Sequence, residues 1–362
     1  MLEEIELTNK RLYNLDLLKF IASLCIALHH YQQTFQVKYE NGLNFYGGSI
    51  HFGYLVELFF IISGYLVAKS KYKDTFVNNV KKRWIRLFPY ALIATLTAYI
   101  VFVVYYLIIG THLLDRSYSA PCVVASLLMV HQGWLIEFIG VNNPTWYLCV
   151  LLWLYIVYYL INTLSDFAEK KYHKGNIFKI ICYVCFVLLG MGIRFLHLEL
   201  PFLHGSNGRG YTAFFIGVIL YYIDEKLEKK NRLLIGVIMI IIGVMVVTMH
   251  IQLGLALTIL FYPGLLLLLI NVKQICFKPI NTLGDISFEI YIWHIPTYYL
   301  LYFIVSMTNN ISLDNYTVML LFLMIVVVVS ITVHYVVNVP LAKQISKMAN
   351  ITTGGGNCPC HK

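Results

Sequence analysis

Runs of apolar residues long enough to cross a bilayer recur along almost the whole of this chain. A hydrocarbon core about 30 Å thick takes about 20 helical residues to span. Inside it every backbone polar group must be satisfied within the protein. The runs fall at residues 15–31, 52–68, 87–109, 146–164, 177–195, 211–223, 233–250, 255–270, 286–305 and 317–337, of which 211–223 is the shortest. An eleventh stretch, 122–138, is interrupted by His131, Gln132, Gly133 and Glu137. Only 12% of the 362 residues are charged and 59% are hydrophobic, against about 25% charged in soluble domains. The solvent such a chain requires is lipid, and the expected fold is all-α: a polytopic membrane bundle of about ten helices.

The cations decide the topology. Lys69, Lys71, Lys73, Lys81, Lys82, Arg83 and Arg86 fill the loop 69–86. Lys170, Lys171, Lys174 and Lys179 form a second group, and Lys226, Lys229, Lys230 and Arg232 a third. Lys273 with Lys278, and Lys343 with Lys347, mark two more. Basic loops face the cytoplasm. All five share that side only if 122–138 does not cross, which leaves ten spans, both termini cytoplasmic, and a re-entrant or surface-lying element on the outer face. The expected division is a cytoplasmic segment 1–14, a membrane domain 15–340 and a cytoplasmic tail 341–362.

The same placement explains the net charge of +9 without a nucleic-acid partner, which would need a basic face on a soluble module. Cys25, Cys149, Cys182 and Cys185 lie within apolar runs and read as small packing residues. Cys358, Cys360 and His361 end a Gly-rich tail with no second pair of ligands nearby, so no metal site is expected.

Ionisable groups inside membrane spans are costly, and each is a candidate for function. In the first span Asp16, Lys19, Ser23 and His30 share a stripe, because the eleven residues from Lys19 to His30 make about three turns, or roughly 16 Å along the axis. Asp16 and Lys19 suit either a pair anchoring the helix or a part in chemistry. His30 lies a helix length away, where its imidazole can exchange a proton near neutral pH. His29 points about 100° aside, as an interfacial anchor would. Glu57 has no adjacent cation and must be neutral or paired from another helix. His294 sits mid-span beside Pro296, which frees a backbone carbonyl. Arg83 and Arg86, three apart, share a face and suit membrane anchoring or a grip on phosphates.

Together these segments resemble the acyltransferase 3 family of membrane proteins. The opening Leu15-Asp16-Leu17-Leu18-Lys19 with His30 is similar to the family's first-span motif, a cation and a histidine separated by ten residues. Glu57 followed by Phe59-Phe60-Ile61-Ile62-Ser63-Gly64-Tyr65-Leu66 resembles its second-helix motif, and Arg83-Trp84-Ile85-Arg86-Leu87-Phe88-Pro89 its basic third-helix motif. Pro144-Thr145-Trp146-Tyr147-Leu148, Phe214-Phe215-Ile216-Gly217 and the stretch from Leu283-Gly284-Asp285 to His294 complete the resemblance, in order over some 280 residues. Two positions depart from it: Lys19 stands where arginine is commoner, and Asn338-Val339-Pro340 where Glu-x-Pro is usual.

The resemblance implies an acyltransferase of the cell membrane that takes an acyl group, usually acetyl, from cytoplasmic acyl-CoA. Its acceptor is then a hydroxyl of a cell-surface carbohydrate. By the same resemblance His30 is catalytic, as general base or transient acyl carrier. Lys19, Arg83 and Arg86 bind the donor; Asp16, Glu57, Ser63, Trp146 and His294 support the site. His131, Gln132, Trp134 and Glu137 are candidates for an acceptor entrance. The rival expectation is a transporter or flippase for a lipid-linked saccharide, in which the polar stripe lines a pathway; no repeated half supports it.

Overall fold

A computed structural model describes residues 11–35, 51–70, 74–249, 253–275, 278–308 and 312–349. Eleven helices make up the described residues, with one isolated bridge between Leu200 and Leu203 and no strand. They are α1 (Tyr13–Phe35), α2 (Leu55–Lys69), α3 (Phe76–Ile109), α4 (Ala120–Leu127), α5 (Trp146–Tyr172), α6 (Gly175–Leu196), α7 (Gly205–Lys226), α8 (Lys229–Thr248), α9 (Leu253–Asn271), α10 (Lys278–Thr308) and α11 (316–349). Short 3₁₀ turns lead into α2 and α5, and π turns interrupt α9 at Leu257–Phe261 and α11 at His334–Asn338. The tail with Cys358, Cys360 and His361 lies outside the described residues.

Eight of these helices are long and apolar enough to cross a membrane. The other two of the ten expected spans, α1 and α7, carry too much polarity for that criterion. They are nevertheless 23 and 22 residues long, about 33–35 Å at 1.5 Å per residue. Much of their polarity is spent inside the bundle: Asp16, Ser23, His29, Asn207, Thr212 and Asp224 are all buried. The short run at 211–223 is thus the second half of a full-length helix whose first turns, Gly205–Gly210, are glycine-rich and polar.

The interrupted stretch 122–138 yields only α4, eight residues or about 12 Å, followed by turns up to Asn143. It adds no crossing. The pairing of α1 with α10 agrees. Arg11 bonds Asp285, Ser23 bonds Ser287 and His30 stacks on His294, so the two helices run parallel. Among the described residues seven membrane-length helices lie between them in sequence, as a parallel pair requires when each crosses once.

The segment 69–86, expected as a loop, is mostly helix. Phe76 opens α3 behind Thr75, whose hydroxyl accepts from Asn78 N at 3.4 Å. Lys81, Lys82, Arg83 and Arg86 therefore ride on the first three turns of a 34-residue helix. His29 is also not an interfacial anchor: it is buried against His30 and His51.

Two local devices set the helix positions. The carbonyl that Pro296 leaves without its helical donor, that of Ile292, accepts from Asn142 Nδ2 at 2.9 Å. Tyr291 OH to Pro144 O (2.6 Å) and Tyr299 OH to Val141 O (3.1 Å) fasten the same loop to α10. Between α2 and α7 the backbones touch, and only glycine fits. A Cβ on Gly64 would fall 2.0 Å from the Phe214 carbonyl oxygen, and one on Gly217 2.0 Å from that of Ile61. Small residues that allow such approach drive helix association where no hydrophobic effect operates. Gly217→Ala is expected to destabilise by about 1–3 kcal/mol, seen as a lower melting temperature in detergent. Gly192→Ala, where nothing lies within 4 Å, should leave melting unchanged; equal behaviour of the two would contradict the close contact.

Candidate active site

One end of the bundle carries Lys19, Arg83 and Arg86, the three expected donor cations, with Arg11 and Arg232. Lys19 Nζ lies 2.7 Å from Asp16 Oδ1, and Arg11 bridges Asp16 to Asp285 on α10. Asn14 donates to the carbonyls of Leu269 and Lys273, joining α1 to the end of α9. Asn271 and Tyr65 both donate to Asp224, which faces Arg232 at 3.3 Å. From α2 Ser70 accepts from Arg83 Nη2 at 3.1 Å, and Tyr159 OH accepts from Arg83 Nε at 3.0 Å. The Arg83 guanidinium also lies over the Tyr155 ring, 5.2 Å from its centroid. Arg86 is exposed, with no hydrogen bond or ion pair among the described residues. Of the three expected donor cations, Lys19 is thus tied to Asp16 in one cluster, Arg83 is held in a second, and Arg86 is open to an incoming anion.

The other end gathers imidazoles. His30, half-buried, stacks on the fully buried His294 with ring centroids 5.3 Å apart and planes at 18°. His29 meets His30 edge-on at 5.2 Å and His51 at 4.8 Å. His30 Nδ1 lies 3.0 Å from Gln33 Oε1, an acceptor, so Nδ1 carries the hydrogen and Nε2 keeps the lone pair. His294 Nδ1 donates to the Ile290 carbonyl at 3.1 Å, and its Nε2 is buried without a partner among the described residues. Both stacked rings thus keep a lone pair on Nε2. Among the described residues no group of three or more His, Cys, Asp or Glu is placed to hold a metal ion.

Polar and aromatic side chains join the two ends. Tyr155, under Arg83, is eight residues along α5 from Tyr147, about 12 Å. Ser63 Oγ lies 2.9 Å from Tyr147 OH. Tyr147 packs on Tyr291 at 5.5 Å, and Tyr291 lies 6.2 Å from His294. Ser63, expected as a supporting residue, thus stands midway along this line.

Glu57 is paired from another helix, and its partner is a residue that the sequence did not single out. It is fully buried and receives both Arg209 Nε at 2.8 Å and Nη2 at 2.7 Å. Arg209 Nη2 also donates to the Gly53 carbonyl at 2.7 Å, and its guanidinium lies 4.8 Å from the Trp146 ring centroid. Trp146 therefore backs the cation that holds Glu57. The available signal was an arginine flanked by glycines, Gly208-Arg209-Gly210, at the head of an apolar run. Glu289 was missed as well. Its Oε1 accepts from His334 Nδ1 at 2.8 Å and from Asn338 Nδ2 at 3.0 Å, across the π turn of α11. Asn338, at the position of the usual Glu-x-Pro glutamate, thus acts as a donor to a carboxylate on α10.

The loop 128–142 divides the expected entrance residues. His131 is fully buried with Nδ1 3.3 Å from Cys149 Sγ, and burial pushes it down to about 4, so it is neutral at physiological pH. Trp134 donates to the Cys149 carbonyl at 3.0 Å and packs on Trp153. Gln132 and Glu137 instead line an open pocket. Burial holds the Glu137 carboxyl above the usual carboxylate range.

A polytopic bundle of helices this long and apolar defines an integral membrane protein. The family described as an acyltransferase domain matches residues 12–338, nearly the whole of the described bundle. The chain belongs to the acyltransferase 3 family and is a multi-pass membrane acyltransferase with an acyl donor and an acceptor as substrates. No curated protein and no solved structure matches it.

Removing Arg209 would leave the fully buried Glu57 carboxylate without its countercharge. Arg209→Ala is expected to cost about 3–5 kcal/mol of stability, whereas the apolar pair Glu57→Leu with Arg209→Met should recover most of it. Thermal melting of the purified variants checks this. Equal melting of Arg209→Ala and the native protein would mean the pair does not hold α2 to α7.

Proposed function

We propose that this acyltransferase moves an acyl group, with acetyl as the family's usual cargo, from cytoplasmic acyl-CoA to a hydroxyl of a cell-surface carbohydrate. The observation that carries the reading is the lone pair left on His30 Nε2, at the end of the bundle opposite Arg83 and Arg86. The positive-inside rule assigns the basic end, and with it both termini, to the cytoplasm of a cell membrane. Arg86 then meets the CoA phosphates first, with Arg83 and Lys19 behind it as further cations. The pantetheine arm follows the line of Tyr155, Ser63 and Tyr147 towards the histidines.

At the far end His30 Nε2 takes the acceptor hydroxyl's proton as the oxygen attacks the thioester carbon. The C–S bond breaks, and the departing thiolate takes the proton from the imidazolium. Transfer through an acyl-imidazole begins at the same nitrogen. His294 stacks on the ring and fixes its plane, and Gln33 fixes its tautomer. Asp16 supports the donor end by holding Lys19, and Glu57 supports the acceptor end by holding Arg209.

His30→Ala is expected to abolish acyl transfer while the protein remains folded and inserted; normal transfer by that variant would sink the assignment. A ligand that binds only the folded state adds about 2.7 kcal/mol at 100 times its Kd, so acetyl-CoA should raise the melting temperature of the detergent-purified protein. Arg83→Ala with Arg86→Ala should remove that gain. A gain that survives in the double variant would leave the arginines as membrane anchors, and no gain in the native protein at millimolar acetyl-CoA would favour transport over transfer.

A further inference from the structure

Beside the imidazole cluster, the loop before α5 and the start of α7 enclose an open pocket of about 440 Å³. That lies within the range of small-ligand sites, about 300–1,000 Å³. Its wall is mostly polar, formed by Gln132, Glu137, Asn143, Trp146, Glu199 and Arg209. Ser206 also lines it and donates to Glu137 Oε1 at 2.6 Å. Behind the carboxylates His204 Nδ1 lies 3.0 Å from Glu199 Oε2 and 4.0 Å from Glu137 Oε1. His204 is only 7% exposed, and its Nε2 has no partner among the described residues.

The donor and acceptor pattern of this wall specifies a class of ligand. The amides of Gln132 and Asn143 both donate and accept, the carboxylates accept, and Arg209 donates. Hydroxyl groups, which do both, are the complement of such a wall, and a lipid tail is not. Charge narrows the class. Glu137 and Glu199 are two carboxylates, and the one cation of the wall, Arg209, is already engaged by Glu57. An anionic ligand would meet like charge, which costs specificity-determining energy at an interface. A chain of contacts links the pocket wall to His30. Arg209 bonds the Gly53 carbonyl, a Cβ on Gly53 would fall 2.9 Å from His51 and 3.1 Å from His29, and His29 touches His30.

We propose that this pocket is the acceptor subsite and selects a neutral or amine-bearing saccharide over an anionic one, presenting its hydroxyl to His30 past Arg209 and Trp146. The inference rests on the transferase reading above.

The test follows radiolabelled acetyl transfer from acetyl-CoA to three tetrasaccharides: cellotetraose (neutral), chitosan tetraose (amine-bearing) and tetragalacturonate (anionic). The native protein should acetylate the first two at least about tenfold faster than the third. Glu137→Gln with Glu199→Gln should bring the anionic acceptor to within about threefold of the neutral one, while the thermal gain from acetyl-CoA is unchanged. That gain also reports that the variant is folded. Unchanged selectivity in the double variant overturns the proposal. So does a native protein that acetyl-CoA stabilises but that acetylates none of the three. Absence of both stabilisation and transfer overturns the transferase reading, and this one with it.

Discussion

A carboxylate without a countercharge cannot stay in the interior of a membrane bundle, and the pairing of Glu57 with Arg209 is where this chain meets that constraint most directly. Glu57 is fully buried, and both its oxygens are bound by one guanidinium. The same guanidinium reaches the Gly53 carbonyl and covers Trp146, so one ion pair ties the starts of α2, α5 and α7 together. Further along, the Gly64 and Gly217 backbones bring α2 and α7 into direct contact. The pair is costly to form and more costly to break. What it secures is the wall against which His51, His29 and, through them, His30 are packed.

The rest of the site depends on α1 and α10 lying parallel. Their register puts Asp16 beside Asp285 through Arg11, Ser23 against Ser287, and His30 over His294. A basic cluster and an imidazole cluster thereby occupy opposite ends of the same helix pair. The proline of α10 is part of this arrangement: the carbonyl that it frees is taken by Asn142, which docks the loop preceding α5 close to His294. The stacked imidazoles and the backbone irregularity share one stretch of helix, as expected where a membrane helix departs from ideal hydrogen bonding.

Most of the bundle was legible because the bilayer imposes one rule on length and another on charge. The ten apolar runs became ten membrane-length helices, and the charge argument that 122–138 does not cross agrees with an eight-residue α4 and a parallel α1 and α10. Of the stripe Asp16, Lys19, Ser23 and His30, Asp16 and Ser23 are buried, Lys19 is partly exposed and paired with Asp16, and His30 stacks on His294, since helical periodicity carries that information directly. Partnerships between distant segments were not legible. Nothing local to Glu57 names Arg209, 152 residues away, nor does Asn338 name Glu289. His29 was misplaced because its angle about α1 was read without the knowledge that His51 packs there. The basic stretch before Leu87 reads as loop in the sequence because its lysines mask a helix start capped by Thr75.

In the proposed transfer, donor and acceptor meet through the bundle from opposite sides, which a vectorial assay probes. Labelled acetyl-CoA is sealed inside proteoliposomes of the native protein, and cellotetraose is added outside. Acetylated cellotetraose is expected in the outer medium from intact vesicles, with acetyl-CoA remaining inside. Transfer that appears only after the vesicles are breached, or only when both substrates share a side, would contradict it.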